Sequence, residues 1–244
     1  MVILGVIPAR GGSVRVKRKN AKLLGEKPLI VWTIEAAKQS KMLDYFLVST
    51  NDEEIRKTSK IHDARVPFKR PEEISADVDT TLVLIHALRW YEKKKKQQVS
   101  HVVCLQPTSP FRTGEDIDQC IKIATADHSF ETVLTVSRVT QFPEWMFEMK
   151  PFTHELVPYD PEVHLEGKTL VSQNLPTRWY PNGAVYVTRR DVLLSGRIYG
   201  RKITGFPMPR ERSIDLEEEI DFYYASATIP MLQDTIPKTT WLLS

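Results

Sequence analysis

VILGVIPARGGSVRVKRKN, residues Val2–Asn20, joins an apolar run to a basic, glycine-containing loop. Its opening apolar run, Val2–Ile7, has the length and branched composition of a buried strand. A turn follows, Pro8-Ala9-Arg10-Gly11-Gly12-Ser13, and then a loop carrying Arg15, Lys17, Arg18 and Lys19. Glycines let backbone N–H groups come close to an anion, and the cations neutralise it. A basic glycine-containing loop directly after a first strand therefore reads as a polyphosphate cradle. On composition alone a solvated basic turn is the alternative. Neither the G-x-x-x-x-G-K-[ST] loop nor G-x-G-x-x-G is present.

Strand and helix signals alternate outward from this stretch. Pro28 opens a helix with apolar Leu29, Trp32, Ile34 and Ala36. Tyr45–Thr50 reads as a strand, with Asn51 and Asp52 as candidate caps for a helix over Glu53–His62. Asp79 or Thr80 caps a helix through Tyr91, and the lysines at 93–96 lie at its solvated end, where cations suit the helix dipole. His101–Leu105 reads as a strand, Glu115–Thr125 as a helix and Thr132–Val136 as a strand. From about Thr140 to Pro181 no helical period is sustained. A stretch so long and so rich in proline and aromatic residues reads as a functional excursion, a lid or an interface arm. Sheet character returns at Gly183–Thr188, and a last helix is expected over Leu216–Leu232. Strands separated by helices imply crossover connections and a largely parallel, doubly wound sheet. Ligands in such sheets bind outside the carboxyl ends of the strands. The Arg10 loop, Thr50-Asn51-Asp52 and Gln106-Pro107-Thr108-Ser109 all fall there.

Composition bounds the function. The 244 residues suit one α/β domain with an excursion, and 41% hydrophobic content supports a substantial core. A net charge of only +3 makes the basic residues a local feature, which favours a pocket over a general nucleic-acid surface. Two cysteines, Cys104 and Cys120, define neither a disulfide framework nor a zinc site. No run reaches the ~18 apolar residues of a membrane span. The first apolar run precedes its charges, the reverse of a signal peptide. The expectation is a soluble cytoplasmic protein without nucleic-acid or membrane partners.

Five motifs follow in order: IPARGGS-x-R-x-x-R-K-N at 7–20, VSTNDEEI at 48–55, QPTSPFRT at 106–113, PNGAVYV at 181–187 and SIDLEEEID at 213–221. Together they resemble the CMP-sialic acid synthetase family, the acylneuraminate cytidylyltransferases, including relatives that activate legionaminic and pseudaminic acid. The resemblance spans nearly the whole chain. It implies a Rossmann-like nucleotidyltransferase fold, a homodimer, and the joining of CTP to a nine-carbon α-keto acid sugar with release of pyrophosphate. Synthetases for an eight-carbon keto sugar are less similar around PNGAVYV.

The resemblance also implies roles. Arg10, Gly11, Gly12, Ser13 and Lys19 would hold the triphosphate, and Asn20, Arg70 and Thr81 would read the cytosine and ribose. Gln106, Arg178, Tyr180 and Asn182 would meet the sugar. Asp215 and Glu217 would hold Mg²⁺, a cation that takes oxygen ligands and combines one or two carboxylates with substrate phosphates. Arg10, Lys17 and Asp215 are the expected catalytic set. Structural readings stand beside these: Arg70 as a surface arginine, Thr81 as a helix cap, the aromatic pairs Phe142/Trp145 and Trp179/Tyr180 as packing, and His86 as a core residue.

Three departures from the family pattern bear on activity. Asp215-Leu216-Glu217 stands where Asp-x-Asp is common. Val14 stands where a lysine often meets the α-phosphate, a role that Arg15 or Lys17 is placed to take over. Ser172 and Tyr180 stand where sialic acid members carry arginines, leaving Arg178 as the nearby guanidinium for a carboxylate. A catalytically weak nucleotide-sugar binder and a regulatory nucleic-acid module are the competing classes. The retained Asp215, Lys19, Asn20 and Gln106 favour the enzyme.

Overall fold

A computed structural model describes residues 2–13, 15–75, 78–161 and 171–232. The chain forms two compact units, Met1–Val136 with Pro181–Ser244, and Ser137–Tyr180. Val14 lies outside the described residues.

The larger unit is built on a six-stranded sheet in the order β10-β6-β9-β5-β1-β4. Its strands are β1 Val2–Pro8, β4 Tyr45–Ser49, β5 Val99–Cys104, β6 Thr132–Arg138, β9 Trp179–Arg189 and β10 Ile203–Pro207. Strand β1 is central and parallel to both β4 and β5. Strands β6 and β10 are also parallel. The departure from a uniformly parallel sheet is β9, which runs antiparallel to β5, with Cys104 opposite Tyr186. A two-residue ladder, β2 Leu23–Leu24 with β3 Lys27–Pro28, leads into the first helix.

The helices are α1 Leu29–Gln39, α2 Glu53–Ile61, α3 Thr80–Lys95, α4 Gly114–Ala126, α5 Arg190–Leu194 and α6 Glu219–Thr228. Side chains alternate across a strand, so β1 feeds two cores. Ile3 and Ile7 join Ile30 and Ile34 of α1, Ile55 of α2 and Ile117 and Ile121 of α4. Leu4 and Val6 pack with Leu84, Leu88 and Tyr91 of α3 and Leu193 of α5. The sheet is thus covered on both faces, as doubly wound folds require. Each fully buried aliphatic side chain contributes about 1.5–3 kcal/mol relative to an exposed one.

Short polar side chains fix the helix starts. Asp52 accepts from the Ile55 N–H at 2.9 Å, and Asp79, not Thr80, accepts from the Thr81 N–H at 2.8 Å. Thr113 and Asp116 form a reciprocal capping box. Helix α3 runs through the lysines to Lys95 and ends at Lys96 in left-handed geometry, φ 56°. The last helix starts later than the expected Leu216. Glu218 and Asp221 form its capping box, and the Leu216 N–H is held by the Thr108 carbonyl at 2.8 Å. Residues 215–217 are therefore loop, followed by α6 and a 3-10 turn at Ile229–Leu232.

The smaller unit occupies the expected excursion. It contains the hairpin β7 Phe147–Met149 with β8 Leu156–Pro158. Phe142 and Trp145 meet edge-to-face at 5.0 Å. Met146, Phe147, Met149 and Phe152 are exposed.

Candidate active site

The carboxyl ends of β1, β4 and β5 converge on a cleft of about 390 Å³. Its wall comprises Pro8, Arg10, Ser13, Arg15, Lys19 and Asn20 after β1, and Arg70 beyond β4. Val78, Thr80 and Val83 come from the α3 end, Gln106, Pro107 and Thr108 from beyond β5, and Glu217 precedes α6. Four cations thus share one cavity with one wall carboxylate, an arrangement with the charge to hold a polyanion.

The basic loop is shaped from within. Gly11 donates its N–H to Asn51 Oδ1 at 3.1 Å, and Asn20 Nδ2 donates to the Arg10 carbonyl at 3.0 Å. A Cβ on Gly11 would stand 2.6 Å from Asp52 Oδ2, so only glycine lets this turn lie against the start of α2. Arg18, at φ 56°, pairs with Glu54 of α2. Lys19 is buried and donates to the Leu216 carbonyl at 2.6 Å, with Glu217 Oε2 at 3.4 Å. Arg15 Nη1 reaches the same Glu217 oxygen at 2.9 Å.

Arg70 is 4% exposed, which excludes the surface-arginine reading. It donates from Nε to Ser49 Oγ at 3.1 Å and from Nη2 to the Ser49 carbonyl. Desolvation, and then the neighbouring Arg10 charge, lower its pKa to about 10. An anion in the cleft relieves that repulsion. Desolvation also pushes the Asp215 carboxyl above its ordinary range. Repulsion from Glu217 and Asp221 adds to the rise, while the Thr108 hydroxyl bond and Lys19 oppose it.

Gly183 joins the last two motifs. Its φ is +78°, and an added Cβ would lie 2.9 Å from Ser109 Oγ, 3.3 Å from Gln106 Oε1 and 3.9 Å from Asp215 Cγ. The positive φ thus brings PNGAVYV against both the Gln106 loop and Asp215.

Residues 4–151, more than half of the chain, match the family described as cytidylyltransferase. The chain belongs to the cytidylyltransferase family. It is 29% identical over 225 residues to an N-acylneuraminate cytidylyltransferase of Escherichia coli, covering 91% of this chain and 51% of that protein. It is 29% identical over 238 residues to a CMP-N,N'-diacetyllegionaminic acid synthase of Legionella pneumophila, covering 97% of this chain and 100% of that one. An N-acylneuraminate cytidylyltransferase B of Danio rerio is 30% identical over 92% of this chain and 50% of its own length. The chain therefore spans about half of some relatives and the whole of another. Among solved structures, a CMP:2-keto-3-deoxy-manno-octonic acid synthetase complexed with CTP superposes with a TM-score of 0.66 at 16% identity, covering 95% of this chain and 99% of that one. A 4-diphosphocytidyl-2C-methyl-D-erythritol synthase gives 0.65 at 10%, covering 94% and 100%. Both share this chain's mixed α/β fold over nearly its whole length.

Within this member of the family the sequence-derived set divides. Arg10, Ser13, Lys19, Asn20, Arg70, Gln106 and Glu217 line the cleft. Gly11 and Gly12 belong to its loop but not to its wall, and Asp215 lies beside Gly183. Lys17 is exposed and outside the wall, which Arg15 occupies instead. Thr81 is buried with its N–H on Asp79, and Thr80 and Val83 supply the α3 wall. Asn182, expected to meet the sugar, is 2% exposed and uses its amide inside the fold. Its Oδ1 accepts from Thr135 Oγ1 at 2.6 Å, and its Nδ2 donates to Ser213 Oγ at 2.9 Å. Arg178, expected to be available for a carboxylate, is paired with Glu144 inside the smaller unit, Nε to Oε1 at 3.0 Å. Tyr180 is exposed in that unit.

Sequence reasoning gave no role to Arg112. It is buried and donates to the Ala184 carbonyl at 2.6 Å, to Thr33 Oγ1 at 2.7 Å and to the Gln106 carbonyl. It ties α1, β9 and the Gln106 loop together. An arginine inside an otherwise apolar and hydroxyl motif was the available signal.

Proposed function

We propose that this chain transfers the cytidylyl group of CTP to the anomeric hydroxyl of a nine-carbon α-keto acid sugar, giving a CMP-sugar and pyrophosphate. The observation carrying this reading is the single cleft that gathers Arg10, Ser13, Arg15, Lys19 and Arg70 beside Gln106 and Glu217. The names of its relatives supply the sugar class.

The reaction forms a bond from the sugar oxygen to the α-phosphorus and breaks the α–β phosphoanhydride. The work is positioning and charge neutralisation rather than covalent catalysis. Arg10 and Lys19 hold the triphosphate, with Lys19 fixed in place by the Leu216 carbonyl. Arg70, kept charged in a buried position, orients the nucleoside end against the Val78, Thr80 and Val83 wall. Gln106 offers its amide to the sugar at the mouth of the β5 loop. Thr108 hydrogen-bonds the Asp215 carboxylate and so orients it.

The donor set suits Mg²⁺. Asp215 and Glu217 would be its oxygen ligands, and the Asp215 carboxyl, raised first by desolvation and then by repulsion from Glu217, is a buried charge that a cation would relieve. Among the described residues no cluster of three His, Cys, Asp or Glu side chains forms a protein-only cage. Mg²⁺ commonly combines one or two carboxylates with substrate phosphates. When bound it would supply neutralisation of developing phosphate charge.

The protein acts as a soluble, cytoplasmic homodimer in this reading. Exposed Met146, Phe147, Met149 and Phe152 in the smaller unit support a pairing surface there. No helix among the described residues is long and apolar enough to cross a membrane.

Calorimetry with CTP, UTP, ATP and GTP tests the nucleotide assignment. CTP binds most tightly, and Arg70→Ala weakens it by about tenfold, the scale of one charged hydrogen bond. Equal binding of all four nucleotides would overturn the reading.

A further inference from the structure

We infer that Glu217 holds two of the cleft's cations in the manner of an anionic ligand, and that Arg15 is a triphosphate-binding residue released when a divalent cation engages Glu217. The inference rests on the reading of this cleft as a CTP site and goes beyond it, because it assigns the order in which the cleft's own charges exchange partners.

Three observations carry it. First, one oxygen, Glu217 Oε2, receives both Arg15 Nη1 at 2.9 Å and Lys19 Nζ at 3.4 Å. Two cations on one carboxylate oxygen reproduce the charge pattern that a phosphate oxygen presents. Second, the two cations are tethered differently. Lys19 is 10% exposed at its side chain and is fixed by the Leu216 carbonyl at 2.6 Å. Arg15 is 63% exposed at its side chain, and Glu217 is its partner among the described residues. Lys19 is thus a fixed element of the site, whereas Arg15 is free to swing. Third, Asp215 and Glu217 flank Leu216, whose N–H is held by the Thr108 carbonyl at 2.8 Å, so both carboxylates are carried on one fixed stretch of loop. A divalent cation held by the two would withdraw Glu217 from its cations.

An ion pair this exposed contributes little to stability, so little is lost when it opens. The exchange conserves charge neutralisation throughout. Glu217 passes from two monovalent cations to one divalent cation, and Arg15 passes from a carboxylate to a phosphate. Metal and nucleotide are then coupled through protein side chains, and such coupling is reciprocal. It also accounts for the position of Arg15 on the wall where Lys17 is not.

Two binding measurements, neither requiring turnover, test this. The first is calorimetric CTP binding in excess EDTA. Glu217→Gln frees Arg15 and Lys19, so its metal-free CTP affinity rises by about threefold, the scale of an exposed ion pair. The second is binding of Mn²⁺ alone, followed by electron paramagnetic resonance. Arg15→Ala removes a competing cation, so Mn²⁺ binds about threefold more tightly than to wild type. Circular dichroism establishes that both variants are folded. Metal-free CTP binding by Glu217→Gln that equals or falls below wild type would overturn the exchange, as would unchanged or weaker Mn²⁺ binding by Arg15→Ala. If wild type itself binds no CTP with or without metal, the nucleotide reading fails instead, and the inference falls with it.

Discussion

Replacing Gly183 by alanine puts a methyl group where the site has no room for one. The residue sits at φ +78°, and its new Cβ would approach Ser109 Oγ to 2.9 Å. The left-handed backbone costs a non-glycine residue about 1–2 kcal/mol. Overpacking against the buried Ser109, whose hydroxyl holds the Asn182 carbonyl at 3.1 Å, adds about 1–3 kcal/mol. The sum, roughly 2–5 kcal/mol, is a large part of a domain's stability. The same Cβ presses on Gln106 Oε1 at 3.3 Å and approaches Asp215 Cγ at 3.9 Å. Small displacements of positioning groups cost about 10²-fold in rate. Urea unfolding monitored by circular dichroism reads the first effect, and pyrophosphate release from CTP reads the second. Glycine's conformation would be shown not to matter if Gly183→Ala stayed within about 0.5 kcal/mol of wild type at full activity.

Asp215→Asn should lower turnover by about 10²-fold while stabilising the fold at neutral pH. The folded carboxyl titrates above its ordinary value of 3.8, so above that pH the folded chain bears a penalised charge. The gain should vanish below pH 3.8, and urea midpoints at pH 7 and at pH 3.5 check the sign. Arg112→Met leaves three acceptors on α1, β9 and the Gln106 loop without their donor and should cost about 3–5 kcal/mol by the same unfolding assay. Burial pushes the Cys104 thiol up to about 12 and raises Cys120 as well. Both should resist a thiol reagent in the native state and react on unfolding, so rapid native labelling of either would contradict their placement.

Much of this fold is legible because short-range chemistry fixes it. Asp52 and Asp79 each stand directly before a helical stretch, and each caps the helix that follows. The strand direction of β9 was not legible, since an apolar run reads the same in either direction. Strand β10 escaped because Ile203–Pro207 is short, largely exposed and interrupted by Gly205. The cleft divides in the same way. Arg10 and Lys19 follow from a basic loop after a first strand, whereas Arg70 follows from the family resemblance alone. Whether Arg15 or Lys17 enters the cleft depends on the path of an irregular loop, which has no period to read. Asn182 turned inward because Thr135 and Ser213, distant in sequence, satisfy its amide. Long-range polar pairing of that kind leaves no local signature.

The proposed reaction is cytidylyl transfer to an acidic nine-carbon sugar. Pyrophosphate release, measured with CTP and Mg²⁺ across N-acetylneuraminic, legionaminic, pseudaminic and 3-deoxy-manno-octulosonic acids, tests it most directly. Release is expected with at least one nine-carbon acid, abolished by EDTA, slower with the eight-carbon acid, and not supported by UTP, ATP or GTP. Absence of release with every nine-carbon acid, or equal rates with all four nucleotides, would contradict it.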